Sequence, residues 1–409
     1  RYATTRLPFG MNGPAQRAKL AIARRMYLGA PAPATRAPVP DGAKSVLESI
    51  LDLSRWAPSG DNAQPWRFEI LGDDAVAVHP QVEAGNPYEY RDGEPTLLSL
   101  GMLLETMRIA ASTHSRDMQW TAESDPQLRR IVVRFQASPG LEPDPLAGYV
   151  PLRSVERRAY ASRRLTASEK SALENSLGGG LRVRWFETAG EKWRIARLSA
   201  RATDIRLRAP EMFAVHQRII DWKNRYSRTG VPAQAIGLDA ATLRLMRWAM
   251  ADWGRADRLN RILGTGAAAA QLDLVPGMRS SGFFAIGPAS ADWSRSAESL
   301  LQAGQALQRF WLTATKLGLA IQPSLAVLLF AHYGEVGASF TQDERLRTKA
   351  GALAAAFGSA FGQKADQILF LGRIGQAASG GAKARSIRRP LAELMAGTGN
   401  DPEPAQGLS

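Results

Sequence analysis

Apolar residues at helical and at alternating spacing predict helices and strands in a recurring order. The first predicted helix carries its apolar face on Val46, Leu47, Ile50, Leu51 and Leu53. Asp41 is its expected N-cap, because a short side-chain oxygen satisfies the free backbone amides of a helix start. Alternation then predicts strands at residues 66–70 and 76–78, a long apolar helix at 96–111 and a strand at 131–135.

Comparable elements are predicted further along the chain. Thr166 and Glu169 form a capping-box pattern that opens a helix, and Gly178–Gly180 end it. Residues 181–185 then alternate as a strand, and a long apolar helix is predicted at 301–317. The order of helix, strand and long central helix is therefore the same in both stretches.

The two long helices align at a constant offset of 203 residues. This offset pairs Gly101 with Gly304 and Leu104 with Leu307. A small residue within an apolar helix is what close packing of two helices requires. Two core helices can look alike by chance, but the repeated order of elements favours an internal duplication.

The element pattern and local composition suggest boundaries within the chain. Residues 1–40 are rich in Arg, Ala and Pro and are interpreted as an extension or the end of an upstream domain. The two predicted halves are residues 41–150 and 151–395, and 396–409 form a flexible tail. The second half contains a mainly helical insertion at 187–277, which is either packing around the core or a lid above a site.

Composition excludes several kinds of site. The chain has no cysteine, so disulfides, thiolate metal sites and cysteine nucleophiles are excluded. Its four histidines are scattered without ligand spacing, so no metal site is expected. The most hydrophobic stretch, residues 317–330, is interrupted by Gln322 and Pro323. We therefore expect a cytoplasmic protein without a membrane span.

The net charge of +14 raises the question of nucleic-acid binding. The basic residues are mostly single arginines spread along the chain, often beside acids, whereas a polyanion-binding face needs clustering. A solvated surface is the favoured interpretation, and no nucleic-acid partner is expected. A basic protein also suits an anionic cofactor phosphate.

The strongest candidate for chemistry is the polar run at residues 57–66, Ala-Pro-Ser-Gly-Asp-Asn-Ala-Gln-Pro-Trp, between the first helix and the first strand. Pro58 should end the helix, and Gly60 should allow a positive φ. Its candidate cofactor-binding residues are Pro58, Ser59, Gly60, Asn62 and Gln64. Their donors and acceptors suit a planar heteroaromatic ligand such as a flavin, although a plain polar connection is the alternative.

The full string, with Gln-Pro-Trp entering a strand, resembles the flavin-binding loop of the nitroreductase family. The resemblance covers roughly residues 38–395. It implies an α+β fold, with mostly antiparallel sheets flanked by helices, and FMN sites shared across a dimer interface. A chain with two such halves is similar to an internal dimer, like the duplicated mycobacterial subgroup of this family. A monomeric pseudo-dimer, or a fusion to an upstream domain, is therefore expected.

The same family holds the FMN phosphate with an Arg/Ser-rich segment, and residues 153–160 resemble it. The candidates are Arg153, Ser154 and Arg157, since guanidinium groups with a hydroxyl suit a dianionic phosphate. A solvated charged turn is the alternative. Just before the first half, residues 34–40 contain only Arg36 and no comparable Arg/Ser cluster, and the junction at 176–181 lacks the polar loop. One composite FMN site is therefore predicted, and the other is expected to be lost.

Two further segments carry the resemblance. Residues 318–324 resemble the stretch whose backbone lies against the flavin ring, with Gln322, Pro323 and Ser324 as candidates. Gly372–Gly375 resembles the closing strand. Arg388 is the favoured phosphate-contacting residue after it, with Arg385 and Arg389 close behind, and a basic C-terminal tail is the alternative.

The resemblance implies an FMN-binding oxidoreductase that transfers hydride from NAD(P)H through FMN to a small organic acceptor. The cofactor carries such a reaction, so no catalytic residue is assigned. The first alternative is a protein that sequesters or senses flavin in an occluded site with little turnover. The second is a basic interaction module without a cofactor, which would purify colourless.

Overall fold

The computed structural model describes residues 45–124, 128–377 and 384–397, which form an α+β fold with antiparallel sheets. The predicted extension at 1–40, Asp41 and most of the predicted tail lie outside these residues. Among the described helices, none is long and apolar enough to cross a membrane.

The first part of the chain builds a sheet of four strands with two helices. The elements are α1 (Val46–Ser54), β1 (Trp66–Gly72), β2 (Ala75–Pro80), α2 (Tyr90–Ser112), β3 (Arg116–Ser124) and β4 (Leu128–Ala137). The strand order is β1-β2-β4-β3, and each neighbouring pair is antiparallel. Asp41 is not the N-cap of α1, because the helix starts after Ser45, whose capping box with Glu48 satisfies the first amides.

The middle of the chain is mainly helical, with the predicted strand at 181–185 and several short strands that the sequence did not predict. It contains β5 (Tyr160–Ala161), α3 (Ala167–Asn175), β6 (Leu181–Phe186), α4 (Ala189–Arg208), α5 (Pro210–Ile219), β7 (Ile220–Asp221), β8 (Tyr226–Ser227), β9 (Val231–Pro232), α6 (Ala240–Ala249), α7 (Trp253–Ile262), α8 (Gly266–Ala269), a π-helical turn (Ala270–Leu274) and α9 (Val275–Met278). The predicted capping box of Thr166 and Glu169 at the start of α3 is confirmed.

The last part completes a second sheet around another long helix. Its elements are β10 (Gly282–Pro288), α10 (Ala297–Lys316), β11 (Leu319–Pro323), α11 (Leu325–Val336), α12 (Glu344–Phe361), β12 (Phe370–Ala377) and β13 (Arg385–Ser386). The order is β6-β10-β12-β11, with β5 added at β12. Both sheets thus follow the order first, second, fourth and third strand of their own part of the chain.

The two long helices α2 and α10 cross at the glycines that the offset paired. A Cβ on Gly101 would lie 2.1 Å from the carbonyl oxygen of Leu301, and a Cβ on Gly304 would lie 2.3 Å from that of Leu98. Neither position accepts a side chain without separating the helices. Leu98 and Leu301 are themselves 203 residues apart, so the two contacts are reciprocal.

The hydrogen bonds between α2 and α10 at the crossing are reciprocal in the same way. The Gln308 amide donates to the Thr106 hydroxyl over 2.9 Å, and Arg309 donates to Glu105 over 2.8 Å. Adding 203 to Glu105 and Thr106 gives the numbers of their two partners, in exchanged order. Reciprocal contacts of this kind characterise interfaces related by a two-fold axis.

The end of the chain returns to the first sheet. Leu394 is fully buried in the core between that sheet and the helices α1 and α2. Met395 pairs in parallel with Phe68 on β1, and the Ala396 amide donates to the carbonyl of Phe68 over 2.7 Å. This return carries residues 384–389 past the polar loop that precedes β1.

The insertion packs on the core and also reaches the end of the chain. Along α4, Ile195, Leu198 and Ile205 are buried against α11 and α12. The short strand β8 pairs in parallel with β13, with Tyr226 opposite Arg385. Both interpretations of the insertion therefore have a physical basis, since it covers core surface and also lies beside the candidate loop.

Candidate functional site

The polar loop holds a backbone conformation that L residues rarely adopt. Asp61, Asn62 and Gln64 have φ values of 47°, 59° and 54°. The predicted positive φ at Gly60 is wrong, because the left-handed turn falls on the residues that follow it. α1 also ends at Ser54, before the proline that was predicted to end it. Three strained residues in one loop persist only where surrounding contacts fix them, as at binding sites.

Contacts inside and outside the loop fix this conformation. Pro58 is buried, and the Ser59 hydroxyl accepts a hydrogen bond from the backbone N–H of Gln64 over 2.9 Å. The Asn62 side-chain amide donates to the carbonyl oxygens of Arg228 over 3.1 Å and Ile387 over 3.0 Å. The loop is therefore tied both to the insertion and to the end of the chain.

The Gln64 side chain makes the same two connections. Its amide nitrogen donates to the carbonyl of Arg228 over 2.8 Å, and its oxygen accepts from the backbone N–H of Arg389 over 2.8 Å. In this arrangement the donors of Asn62 and Gln64 are engaged by the protein's own backbone. The Asn62 Oδ1 atom is buried without a donor, so one acceptor of the loop is open to a further partner.

Three arginines from distant parts of the chain come together beneath the loop, and we call them the arginine cluster: Arg153, Arg385 and Arg388. Arg388 Nε donates to the carbonyl of Ala57 over 3.0 Å. Arg385 Nη2 donates to the carbonyls of Pro151 over 2.9 Å and Arg153 over 3.1 Å. The structure thus brings together the start of the loop, the predicted Arg/Ser segment and the predicted C-terminal basic residue.

The arginine cluster is cationic, and the residues that the structure describes provide no acidic partner for it. Burial lowers the pKa of all three arginines, and the charges of Arg153 and Arg385 lower that of Arg388 further. Within the described ranges, none of the three forms an ion pair with a carboxylate. Nε of Arg153 and of Arg385 is buried without a hydrogen-bond partner. Uncompensated buried cations are costly, so the cluster is suited to hold an anion.

The predicted Arg/Ser segment is divided between two environments. The guanidinium of Arg153 lies 4.6 Å from the centre of the Trp311 ring, inside the arginine cluster. Arg157 instead lies near Asp61 and Arg206, whose charges act on it, and its Nη1 is 3.5 Å from the Ala235 carbonyl. A shared role of the two arginines at one phosphate therefore has no support in this geometry.

The remaining predicted residues lie beside this segment. Ser154 Oγ donates to the neighbouring Val155 carbonyl over 3.4 Å. Val155 forms a bridge with Ile321 on β11, which places the segment along that strand. At the end of β11, Pro323 is half-buried, and the Ser324 amide donates to the Leu371 carbonyl over 2.8 Å. Their expected position against a flavin ring stays a prediction.

A buried arginine that the sequence analysis did not select joins these segments. Arg373 on β12 donates from Nε to the Gln322 side chain over 2.7 Å and from Nη2 to the Arg157 carbonyl over 2.6 Å. It also lies over the Tyr160 ring at 4.3 Å. The available signal was a charged residue between the apolar and glycine residues of the stretch 370–375.

Other features of the surface lie apart from these residues. A groove of about 590 Å³ lies between α4, α8 and α12, with Trp193, Arg197 and Leu353 in its lining, and no predicted site residue borders it. The described part of the chain contains no group of three or more His, Asp or Glu side chains placed to hold a metal ion.

Comparison with known proteins gives no family. No protein-family model matches the sequence. The chain is 23% identical over 303 residues to the uncharacterized protein MT1398 of Mycobacterium tuberculosis (strain CDC 1551 / Oshkosh). The match covers 69% of this chain and only 39% of that protein. This distant likeness carries no activity to the chain, and the residues of the site carry the functional argument.

Proposed function

We propose that the protein is an FMN-dependent oxidoreductase of the nitroreductase type, which uses NAD(P)H and a small organic acceptor. The observation that carries this proposal is the arginine cluster, in which Arg153 and Arg388 are buried and for which the described residues provide no acidic partner. A dianionic phosphate supplies the missing negative charge and the acceptors that the free Nε atoms need.

The residues present fit the phosphate of FMN from both sides. Arg153 lies at the head of the second half, while Arg388 contacts Ala57 at the start of the first half's loop. The site would therefore be composite, as the complementary loss of motifs suggests. The loop amides fit less directly, because Asn62 and Gln64 would have to break their hydrogen bonds to the Arg228 carbonyl before they could bind a flavin ring.

The reciprocal contacts of α2 and α10 and the equal strand order of the two sheets support a duplicated fold with an internal pseudo-dimer. A chain that completes its own dimer-like core has no need of a second copy. We therefore propose a monomer with a single FMN, independent of nucleic acid and membrane.

When bound, FMN supplies hydride transfer between the nicotinamide and the acceptor. The protein's own part is to bind and to orient. The arginine cluster would hold the phosphate, and the strained loop with Asn62 and Gln64 would orient the cofactor. No nucleophile or metal is needed for these roles.

A second candidate function is flavin sequestration with little turnover. Two observations favour this function. The Arg228 carbonyl of the insertion accepts hydrogen bonds from the side-chain amides of both Asn62 and Gln64, and β8 lies beside the C-terminal segment. An insertion in this position restricts access to the loop. Anaerobic addition of NADPH separates the two functions, because an oxidoreductase bleaches its flavin within seconds and a sequestering protein does not.

The proposal is tested by titrating purified protein with FMN. Arg153→Met and Arg388→Gln should each weaken binding by roughly 10- to 100-fold, the loss expected for a charge-assisted contact to phosphate. The matched control is Arg182→Gln, because Arg182 is exposed on β6 and away from the cluster. Equal affinities in all variants, or two FMN molecules per chain, would contradict the composite site.

A further inference from the structure

The groove between α4, α8 and α12 has the size and the lining of a small-molecule site. Its volume is about 590 Å³, and ligand pockets in proteins usually measure roughly 300–1,000 Å³. Much of its wall is apolar and comes from different elements: Ile205 of α4, Ala269 of α8, Leu274 of the π-helical turn and Leu353 of α12. An apolar wall with a few polar groups is typical of such pockets.

A tryptophan lies open to solvent at this groove. Trp193 on α4 is 45% exposed and belongs to the lining. Trp248, which is 49% exposed, is covered by the guanidinium of Arg255 at 5.5 Å from its ring centre. In the part of the chain that the structure describes, no ring or guanidinium stacks on Trp193 in this way. Its indole therefore offers a free face to a flat ligand body.

The negative charge in the lining is already balanced. Asp204 accepts hydrogen bonds from the Thr265 hydroxyl over 2.5 Å, from Arg208 Nε over 2.7 Å and from Lys349 Nζ. Thr265 and Lys349 themselves line the groove. A carboxylate with two cationic partners and a hydroxyl donor has little attraction left for a cationic ligand.

Two arginines of the lining have no such partners. Arg197 and Arg201 follow Trp193 at intervals of four residues along α4. This spacing places the three side chains on one face of the helix. Among the described residues, none forms a hydrogen bond or an ion pair with the side chain of Arg197 or Arg201. The groove therefore combines an apolar wall with unbalanced positive charge, which complements an anion.

We propose that this groove binds a small aromatic carboxylate, with its ring against Trp193 and its carboxylate facing Arg197 and Arg201. A guanidinium presents a planar fork of donors that matches a carboxylate. Among the described residues, the lining includes none of the polar loop or the arginine cluster, so this binding does not depend on the proposed flavin function. The site gives α4 and α8 of the insertion a function beyond packing.

The test is equilibrium dialysis of the whole chain with 2-naphthoate and with 2-naphthamide, its uncharged counterpart of the same shape. Wild-type protein should bind naphthoate at least about tenfold more tightly than naphthamide, because only the anion pairs with the arginines. The preference should weaken in high salt, since both arginines are exposed. The double variant Arg197→Gln/Arg201→Gln should lose it. Arg194→Gln is the matched control, because Arg194 is exposed on the same helix outside the lining.

A second set of variants locates the bound ligand. Ala352 is exposed on α12 and lines the groove, so Ala352→Trp should fill the groove and remove naphthoate binding without disturbing the core. Ala355→Trp is the matched control, because Ala355 is exposed on the same helix outside the lining. Arg153→Met should bind naphthoate as wild type does, which separates the groove from the arginine cluster.

Three results would overturn this inference. The first is equal affinity of wild-type protein for naphthoate and naphthamide, a comparison that needs no variant to fold. The second is naphthoate binding that survives Ala352→Trp. The third is a wild-type dimer that Ala352→Trp dissociates in light scattering, with no naphthoate bound, because the groove would then hold a second copy of the chain. Naphthoate binding by a protein that takes up no FMN would contradict the oxidoreductase and still support the groove.

Discussion

Two groups of charges in this molecule, each with buried members, differ in how their charges are compensated. At the crossing of α2 and α10, Glu105 is 2% exposed and accepts from Arg108 over 3.0 Å and from Arg309 over 2.8 Å. Arg309 also donates to Asp144 over 2.8 Å. The signs alternate along this crossing network. In the arginine cluster all charges have the same sign, and no described carboxylate pairs with them.

The difference teaches how a buried charge indicates structure or function. A compensated network fixes the angle of two helices, because each desolvated charge has a partner at the correct distance. An uncompensated group of charges destabilises the protein without ligand, and binding of an opposite charge offsets this cost. We therefore assign the crossing network to folding and the arginine cluster to a ligand.

The comparison predicts the largest effect at the crossing network. Glu105→Ala should lower the free energy of unfolding by about 3 kcal/mol, because it leaves Arg309 with one partner and opens a gap between packed helices. Urea unfolding followed by circular dichroism measures the change.

The matched control is Glu123→Ala, which removes an exposed ion pair with Arg130 on the first sheet. Its loss should be too small to resolve in the same measurement, as for other solvated pairs. Similar losses in the two variants would mean that burial does not distinguish these pairs.

The arginine cluster should respond in the opposite direction. Arg153→Met should leave flavin-free protein as stable as wild type or more stable by about 1 kcal/mol, because it removes a desolvated cation that no described carboxylate pairs with. Nε of Arg153 is buried without a hydrogen bond, and methionine can still pack on Trp311.

The same variant should lose its response to anions. Millimolar inorganic phosphate should raise the thermal midpoint of wild-type protein and raise that of Arg153→Met less. A loss of more than about 1 kcal/mol in flavin-free Arg153→Met would place Arg153 with the structural charges instead.

Local patterns in the sequence predicted much of the fold. The alternation at 66–70, the capping box of Thr166 and the glycines of the helix crossing all follow from residues close in sequence or from a repeated motif. The strand β3 was missed, although Met118, Trp120 and Ala122 alternate with polar residues along it and face the core of the first sheet.

The candidate site was less predictable, because its contacts span the chain. Asn62 and Gln64 meet the carbonyl of Arg228 across more than 160 positions, and no motif in the insertion marks that carbonyl. The different surroundings of Arg153 and Arg157 also depend on how the Arg/Ser segment runs along β11. Backbone acceptors are the same for every residue type, so a sequence does not reveal which one a side chain will use.

The smallest effect is expected at a partly exposed group of paired charges on α4. Partial burial alone would raise the pKa of Asp204, but hydrogen bonds from Lys349, Thr265 and Arg208 outweigh it and lower the pKa from 3.8 to about 2. A carboxylate with a lowered folded pKa stabilises the protein above the unfolded value and loses this contribution as pH falls from about 4 to 2. Because Asp204 is partly exposed, solvent screens its charge interactions, and their contribution to stability should be only about 1 kcal/mol. Asp204→Asn should therefore be less stable than wild type at pH 6 and equal to it near pH 2 in urea unfolding. A stability difference between Asp204→Asn and wild type that persists unchanged at pH 2 would show that the Asp204 side chain acts through packing. The stabilisation by paired charges would then not increase with their burial.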